Sequence, residues 1–185
     1  MNVCVFCASS TELAPEYVDA GRALGSWIGG GGHTLVWGGC NVGLMEVIGR
    51  AARATHGRTV AILPRFLVDR GLAFEGADEQ IVTSDMATRK AAMRQHADAF
   101  VALPGGIGTW EEVLEVMALK KLGQLDRPIV LANLRGYYDP LLAQIGRSFE
   151  EGMSPREIEQ LYTVARTTGE ILSHLESAAT RGKVE

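Results

Sequence analysis

The sequence predicts an α/β fold, a doubly wound parallel sheet with helices on both faces. Three observations lead there. Short apolar runs rich in β-branched residues alternate from end to end with longer segments of helical period, which is the pattern of right-handed βαβ units. The length of 185 residues suits one domain with its own core. Glycine-dense turns also stand where strands run into helices, as they do in nucleotide-binding sheets of the Rossmann-like type. One domain is expected over residues 1–180, with a frayed tail at 181–185.

The elements follow in order. Residues 3–7 read as a strand, and 16–28 as a helix with Val18, Leu24 and Ile28 on its apolar face. A second strand at 34–37 runs into the glycine-rich turn 38–43, which opens a helix reaching about residue 53. A third strand at 59–63 is closed by Pro64. Residues 65–80 are the least regular stretch, with a short strand at 80–83. A helix over 86–97 leads to a strand at 99–103, the glycine turn 104–108 and a helix over 110–122. A strand at 128–131, a helix near 140–150, and a last short strand and helix around 161–175 complete the chain.

Composition excludes several classes. Eighteen Lys+Arg against 22 Asp+Glu leave a net charge of −4, which offers no broad cationic face to nucleic acid. No apolar run reaches the ~18 residues of a membrane span. The start, MNVCVFCASS, lacks the basic and long apolar regions of a secretion signal. Cys4, Cys7 and Cys40 are an odd set suited to a reducing compartment. A cytoplasmic domain without nucleic-acid or membrane partners is expected.

Ligands of open parallel sheets bind at the carboxyl ends of strands, near the point where strand order reverses. The segment Leu103-Pro104-Gly105-Gly106-Ile107-Gly108-Thr109-Trp110-Glu111-Glu112 is the strongest candidate. Its glycines expose backbone N–H groups, and a helix N-terminus follows, so the segment suits a phosphate. A purely structural turn is the alternative. Glu112 carries two readings as well. Thr109-x-x-Glu112 has capping-box spacing, and a carboxylate beside a bound phosphorylated ligand would suit acid/base or electrostatic work. Glu111 and Glu115 read as a solvated helix face.

The other glycine turn, Gly38-Gly39-Cys40-Asn41-Val42-Gly43, misses the dinucleotide fingerprint because Cys40 replaces its second glycine. No acidic residue closes the third strand to hold a ribose, so NAD is disfavoured. Arg89 lies on or beside an inward stripe of Met86, Met93 and Ala97. A guanidinium there serves an anionic ligand, pairs with a structural carboxylate, or snorkels to solvent. Lys90 helps the same anion or is surface. Ser9 and Ser10 follow the first strand, where a hydroxyl can meet a phosphate or sugar. Trp110 and Phe66 can stack on a base or simply pack. Cys4-x-x-Cys7 lies within a strand and faces two sides, which argues against redox or zinc chemistry. Histidines 33, 56, 96 and 174 show no ligand spacing. No cofactor or metal is expected.

Four ordered motifs together resemble the LOG family of cytokinin riboside 5′-monophosphate phosphoribohydrolases, proteins often labelled lysine decarboxylases. Pro104-Gly105-Gly106-Ile107-Gly108-Thr109-Trp110-Glu111-Glu112 is similar to the family's PGGxGTxxE, and Arg89-Lys90-Ala91-Ala92-Met93 to its RKxxM helix. Val5-Phe6-Cys7-Ala8-Ser9-Ser10 resembles VFCGSS, and Gly38-Gly39-Cys40-Asn41-Val42-Gly43-Leu44-Met45 resembles GGGxxGLM. The resemblance implies hydrolysis of the N-glycosidic bond of a nucleoside 5′-monophosphate to free base and ribose 5-phosphate. A purine or cytokinin nucleotide is the leading substrate, and a pyrimidine nucleotide such as CMP the alternative. A non-catalytic nucleotide-binding protein is the rival from another class. The resemblance makes Glu112 and Arg89 catalytic, with Gly105, Gly106, Ile107, Gly108, Thr109, Lys90, Ser9, Gly39 and Asn41 around the substrate and its phosphate. It also implies a homodimer with active sites near the subunit interface. Departures are Ala8 and Cys40 for glycines of the opening and GGG motifs, Glu46 for the glycine after GLM, Gly71 for a ligand-contacting glutamate, and Ala118 for a threonine of plant members.

The decarboxylase label has little to support it, since Lys90, Lys120, Lys121 and Lys183 lack a recognisable pyridoxal-phosphate setting.

Overall fold

A computed structural model describes residues 1–181. Seven parallel strands form one sheet in the order β4-β3-β2-β1-β5-β6-β7. They are β1 (Asn2–Phe6), β2 (Thr34–Trp37), β3 (Arg58–Pro64), β4 (Glu79–Thr83), β5 (Ala99–Ala102), β6 (Ile129–Ala132) and β7 (Thr163–Ala165). The helices are α1 (Pro15–Gly30), α2 (Gly43–Ala54), α3 (Arg65–Asp69), α4 (Met86–His96), α5 (Ile107–Lys121), α6 (Asp139–Glu150) and α7 (Thr168–Arg181).

Strand β1 is central because both of its faces are apolar. Val3 and Val5 pack towards α1, α2 and α7, whereas Cys4 and Phe6 pack towards α4, α5 and α6. Cys4 and Cys7 accordingly sit in opposite layers, as the strand spacing predicts. Val3 registers with Leu35 on one side and with Ala99 on the other. The strand order therefore reverses between β1 and β5, which places the ligand crevice beyond Phe6 and Ala102.

On the first face, α1 and α2 approach closely through small residues. A Cβ on Gly25 would lie 2.6 Å from the Ile48 carbonyl oxygen and 2.8 Å from Ala51 Cβ. Only hydrogen fits at that crossing.

Several boundaries differ from expectation. Residues 65–69 form a short helix with no buried residue, too brief to show a period. α5 begins at Ile107, so the glycine turn is shorter than the sequence suggests and Gly106 is the N-cap. The last helix continues to Arg181, and residues 182–185 of the expected tail lie outside the described residues. Met86 is 39% exposed and leaves the inward stripe, while Met93 and Ala97 are fully buried. Met86 is the first residue of α4 and lines the cavity instead. Among the described residues no helix is long and apolar enough to cross a membrane.

Candidate active site

A cavity of about 550 Å³ opens at the strand-order reversal. Ser9 and Thr11 follow β1, Gly38, Cys40 and Val42 follow β2, and Arg89 comes from α4. Gly106, Ile107, Gly108, Thr109 and Glu112 come from the start of α5. Cys7 and Met45 line its depth, and Leu67, Leu72 and Met86 also contribute to its wall.

Arg89 and Glu112 meet at the cavity wall. Arg89 Nη1 donates to Glu112 Oε1 at 2.6 Å, and the two residues are only 6% and 7% exposed. Arg89 Nε also donates to the Ile62 carbonyl at 3.0 Å, at the end of β3. Glu112 Oε2 has no hydrogen-bond partner among the described residues, and Glu112 lines the cavity. Burial raises the Glu112 carboxyl above its usual range, and the Arg89 guanidinium opposes that rise. Burial likewise pushes the Cys7 and Cys40 thiols up, so both are poor nucleophiles.

The capping-box reading of Thr109 and Glu112 fails. Thr109 lies inside α5, and Gly106 caps without a side-chain hydrogen bond. The glycines at 106 and 108 suggest a turn, but the first helical turn tolerates glycine because its N–H groups need no intrahelical partner. The start of α5, with its positive end, borders the same cavity as Ser9 and Thr109.

The structure does not place every candidate in the cavity wall. Gly105 lies behind it, where a Cβ would strike Thr109, and its carbonyl accepts from the Tyr137 hydroxyl. Lys90 turns away to pair with Glu111 and, at 3.4 Å, with Glu115. Those two glutamates are therefore ion-pair partners and not a merely solvated face. Gly39 takes a positive φ of 62° against Ala61. Asn41 Nδ2 donates to the Gly71 carbonyl at 3.1 Å, and its N–H to the Leu72 carbonyl at 2.9 Å. Both residues pin the wall that carries Leu72 and do not face the cavity. The α2 end is also occupied, since Leu44 N–H donates to the Ala8 carbonyl at 3.0 Å. Both glycine turns contribute to the cavity lining, Gly38, Cys40 and Val42 from the first and Gly106 from the second.

Thr11, Val42, Met45, Leu67 and Leu72 are wall residues that sequence reasoning missed. Nothing singled out Thr11 beyond its place two residues after Ser9, and nothing in the irregular stretch 65–80 marked Leu67 or Leu72. Among the described residues no group of three His, Cys, Asp or Glu side chains is placed to hold a metal ion.

A family described as "possible lysine decarboxylase" matches residues 45–175. The cytokinin riboside 5′-monophosphate phosphoribohydrolase LOG3 of Arabidopsis thaliana is 39% identical over 178 residues, 96% of this chain and 83% of that protein. The chain belongs to the LOG family. The cytokinin riboside 5′-monophosphate phosphoribohydrolase of Mycobacterium tuberculosis is 42% identical over 164 residues, covering 88% of this chain and 87% of that protein. A molybdenum cofactor carrier protein of Chlamydomonas reinhardtii shares the fold, with a TM-score of 0.73 at 22% identity over 97% of this chain and 98% of that one.

The departures from the family pattern fall unevenly. Cys40 lines the cavity, whereas Glu46 pairs with Arg50 on the surface of α2. Gly71 ends α3 at φ 72°, and Ala118 lies on the exposed side of α5. Among the described residues no lysine lines the cavity, and Lys183 lies outside them. Lys90 is tied to Glu111, and Lys120 donates to the Arg127 carbonyl at 2.8 Å.

Proposed function

We propose that this chain hydrolyses the N-glycosidic bond of a nucleoside 5′-monophosphate, releasing the free base and ribose 5-phosphate. The observation that carries this reading is the buried Arg89–Glu112 pair beside the open N-terminus of α5. An anion site and a held carboxylate share one cavity. Relatives in the family carry the name of this reaction.

The 5′-phosphate sits at the α5 amides with Ser9, Thr11 and Thr109 hydroxyls around it. The C1′–N bond breaks, its electron pair leaves with the base, and positive charge develops on the sugar. Glu112 stabilises that charge, accepts a proton from the water that attacks C1′ and passes it to the departing base, which leaves neutral and returns Glu112 to its carboxylate. Arg89 touches Glu112 and fixes which oxygen faces the substrate.

The apolar part of the cavity lining includes Val42, Met45, Leu67 and Leu72, with Cys40 among them. Such a wall favours a purine with an apolar substituent on its exocyclic nitrogen over CMP, because burial there has no polar side chain to satisfy. The three unpaired, buried thiols suit a reducing cytosol.

Ile107, Trp110 and Leu114 are 81%, 41% and 41% exposed and share one face of α5, and Leu122 at its C-cap is 68% exposed. The stripe starts at the cavity rim, so its occupant on this reading is a second copy of the chain. Leu114→Asp is then expected to give monomers by light scattering, and a wild type that is already monomeric overturns the dimer.

The test of the function is a panel of nucleoside 5′-monophosphates and their nucleosides, scored for free base and ribose 5-phosphate. Each nucleotide is expected to exceed its nucleoside in kcat/KM by at least ~100-fold, about 2.7 kcal/mol, because the remote phosphate holds the sugar in place. Equal rates for the two overturn the phosphate site.

A further inference from the structure

Four cations and carboxylates beyond the buried pair join α4 to α5. Lys90 Nζ bonds Glu111 and lies 3.4 Å from Glu115 Oε2. Arg94 Nη1 lies 2.9 Å from the same Glu115 oxygen, close enough for an ion pair though outside hydrogen-bond geometry. The Lys90 side chain is only 15% exposed, so much of its stem is packed between the two helices. Arg89 and Lys90 are neighbours on α4, and Glu111 and Glu112 are neighbours on α5. Each adjacent pair thus makes one inner and one outer rung between the same two helices.

We propose that Lys90 is a positioning residue for Glu112: by neutralising and tethering Glu111 it keeps the first turns of α5 set against α4 and shields Glu112 from the charge beside it. The proposal rests on the hydrolase reading of the cavity.

The charge environment shows why the shield matters. Glu112 faces Arg89 and Lys90 from α4, Glu111 from its own helix, and the thiols of Cys4, Cys7 and Cys40 from β1 and the turn after β2. Arg89 and Lys90 favour its ionised form, whereas Glu111 and burial oppose it. Pairing with Glu111 in turn holds the Lys90 ammonium above its usual range. Removing Lys90 deletes one favourable charge and uncovers an unfavourable one, while Glu115 keeps Arg94. The carboxylate that must be ionised to accept a proton becomes harder to ionise.

The test compares wild type, Lys90→Met, Lys90→Arg and the double variant Lys90→Met/Glu111→Gln by kcat, KM and the pH dependence of kcat/KM on one nucleotide and its nucleoside. Lys90→Met is expected to lower kcat about tenfold near neutral pH with KM changed less than about threefold. Its acid limb is expected to move up by about half a pH unit. Lys90→Arg is expected to keep most of kcat, and the double variant to return the acid limb to its wild-type place. An unchanged Lys90→Met overturns the proposal. So does an acid-limb shift in Lys90→Met that the double variant fails to reverse, since the charge of Glu111 is then not its cause. A raised KM confined to phosphorylated substrates overturns it too, since Lys90 then touches the phosphate. A wild type without turnover refutes the hydrolase reading instead, which separates the two failures.

Discussion

Gly38→Ala should disable the site without touching a residue that contacts substrate. A Cβ built on Gly38 overlaps Arg89 Nη2 and lies 2.9 Å from Met45 Sδ, where ordinary contact begins at 3.4 Å. Gly38 does not have a positive φ, so the effect of alanine there is steric and not conformational. The guanidinium must retreat by about 1 Å to restore van der Waals distance. Its retreat is resisted by the Ile62 carbonyl at 3.0 Å and Glu112 at 2.6 Å, and a shift of that size breaks or bends both bonds. Misplacement by 1 Å near reacting groups costs about 100-fold in rate. Overpacking and a weakened buried pair should cost about 1–3 kcal/mol in stability. The assay is kcat/KM by chromatographic release of base, beside thermal unfolding. Gly30→Ala on α1, where a Cβ meets nothing within 4 Å, is the control and should leave turnover unchanged. A Gly38→Ala enzyme within threefold of wild type would refute the claim that a fixed Arg89 sets the site.

Other outcomes follow from the same pair. Arg89→Ala should abolish turnover and leave a buried carboxylate unpaired, at about 3–5 kcal/mol near neutral pH. Without its cation, Glu112 has a folded pKa further above its unfolded value, so the penalty is absent below the unfolded pKa and grows as pH rises. Urea unfolding at pH 5 and pH 8 should therefore show a larger deficit at pH 8, and equal deficits would contradict the buried-pair account. In the wild type, the acid limb of kcat/KM should lie above the usual carboxylate range, because burial raises Glu112. A limb at or below the ordinary range would assign the acid titration to another group. Gly105→Ala should lower kcat/KM and stability together, since its Cβ has no room beside Thr109, and normal kinetics would show that the loop can yield.

Much of the fold was legible because parallel strands buried on both faces are apolar runs, and β1, β2 and β5 read as such. The glycine turn before α5 was legible as a strand-to-helix turn, but the reversal point was not, because pairing order is set by contacts distant in sequence. The meeting of Arg89 with Glu112 was not legible, since spacing along the chain says nothing of contact between two helices. Helical period placed Arg89 near the core but left its anion open between a ligand and a carboxylate. The structure supplies the carboxylate, and it is itself a wall of the cavity. Thr109-x-x-Glu112 misled because glycine suggests a turn where α5 has already begun. Lys90 misled because neighbours on a helix point about 100° apart, and only one of the two can face the cavity. Leu67 was hidden because α3 is too short to show a period, and Leu72 because it lies in the irregular segment after that helix.

The central claim is that Glu112 carries the chemistry, and turnover by Glu112→Gln tests it most directly. Glutamine keeps the shape and an oxygen for Arg89 but cannot accept a proton. Initial rates of base and ribose 5-phosphate formation from one nucleoside 5′-monophosphate should be equal in the wild type and should fall by about 10³-fold or more in the variant. Native thermal unfolding in the variant would show that the loss is chemical. A Glu112→Gln enzyme within tenfold of wild type, or inorganic phosphate as the product in place of the free base, would contradict the account.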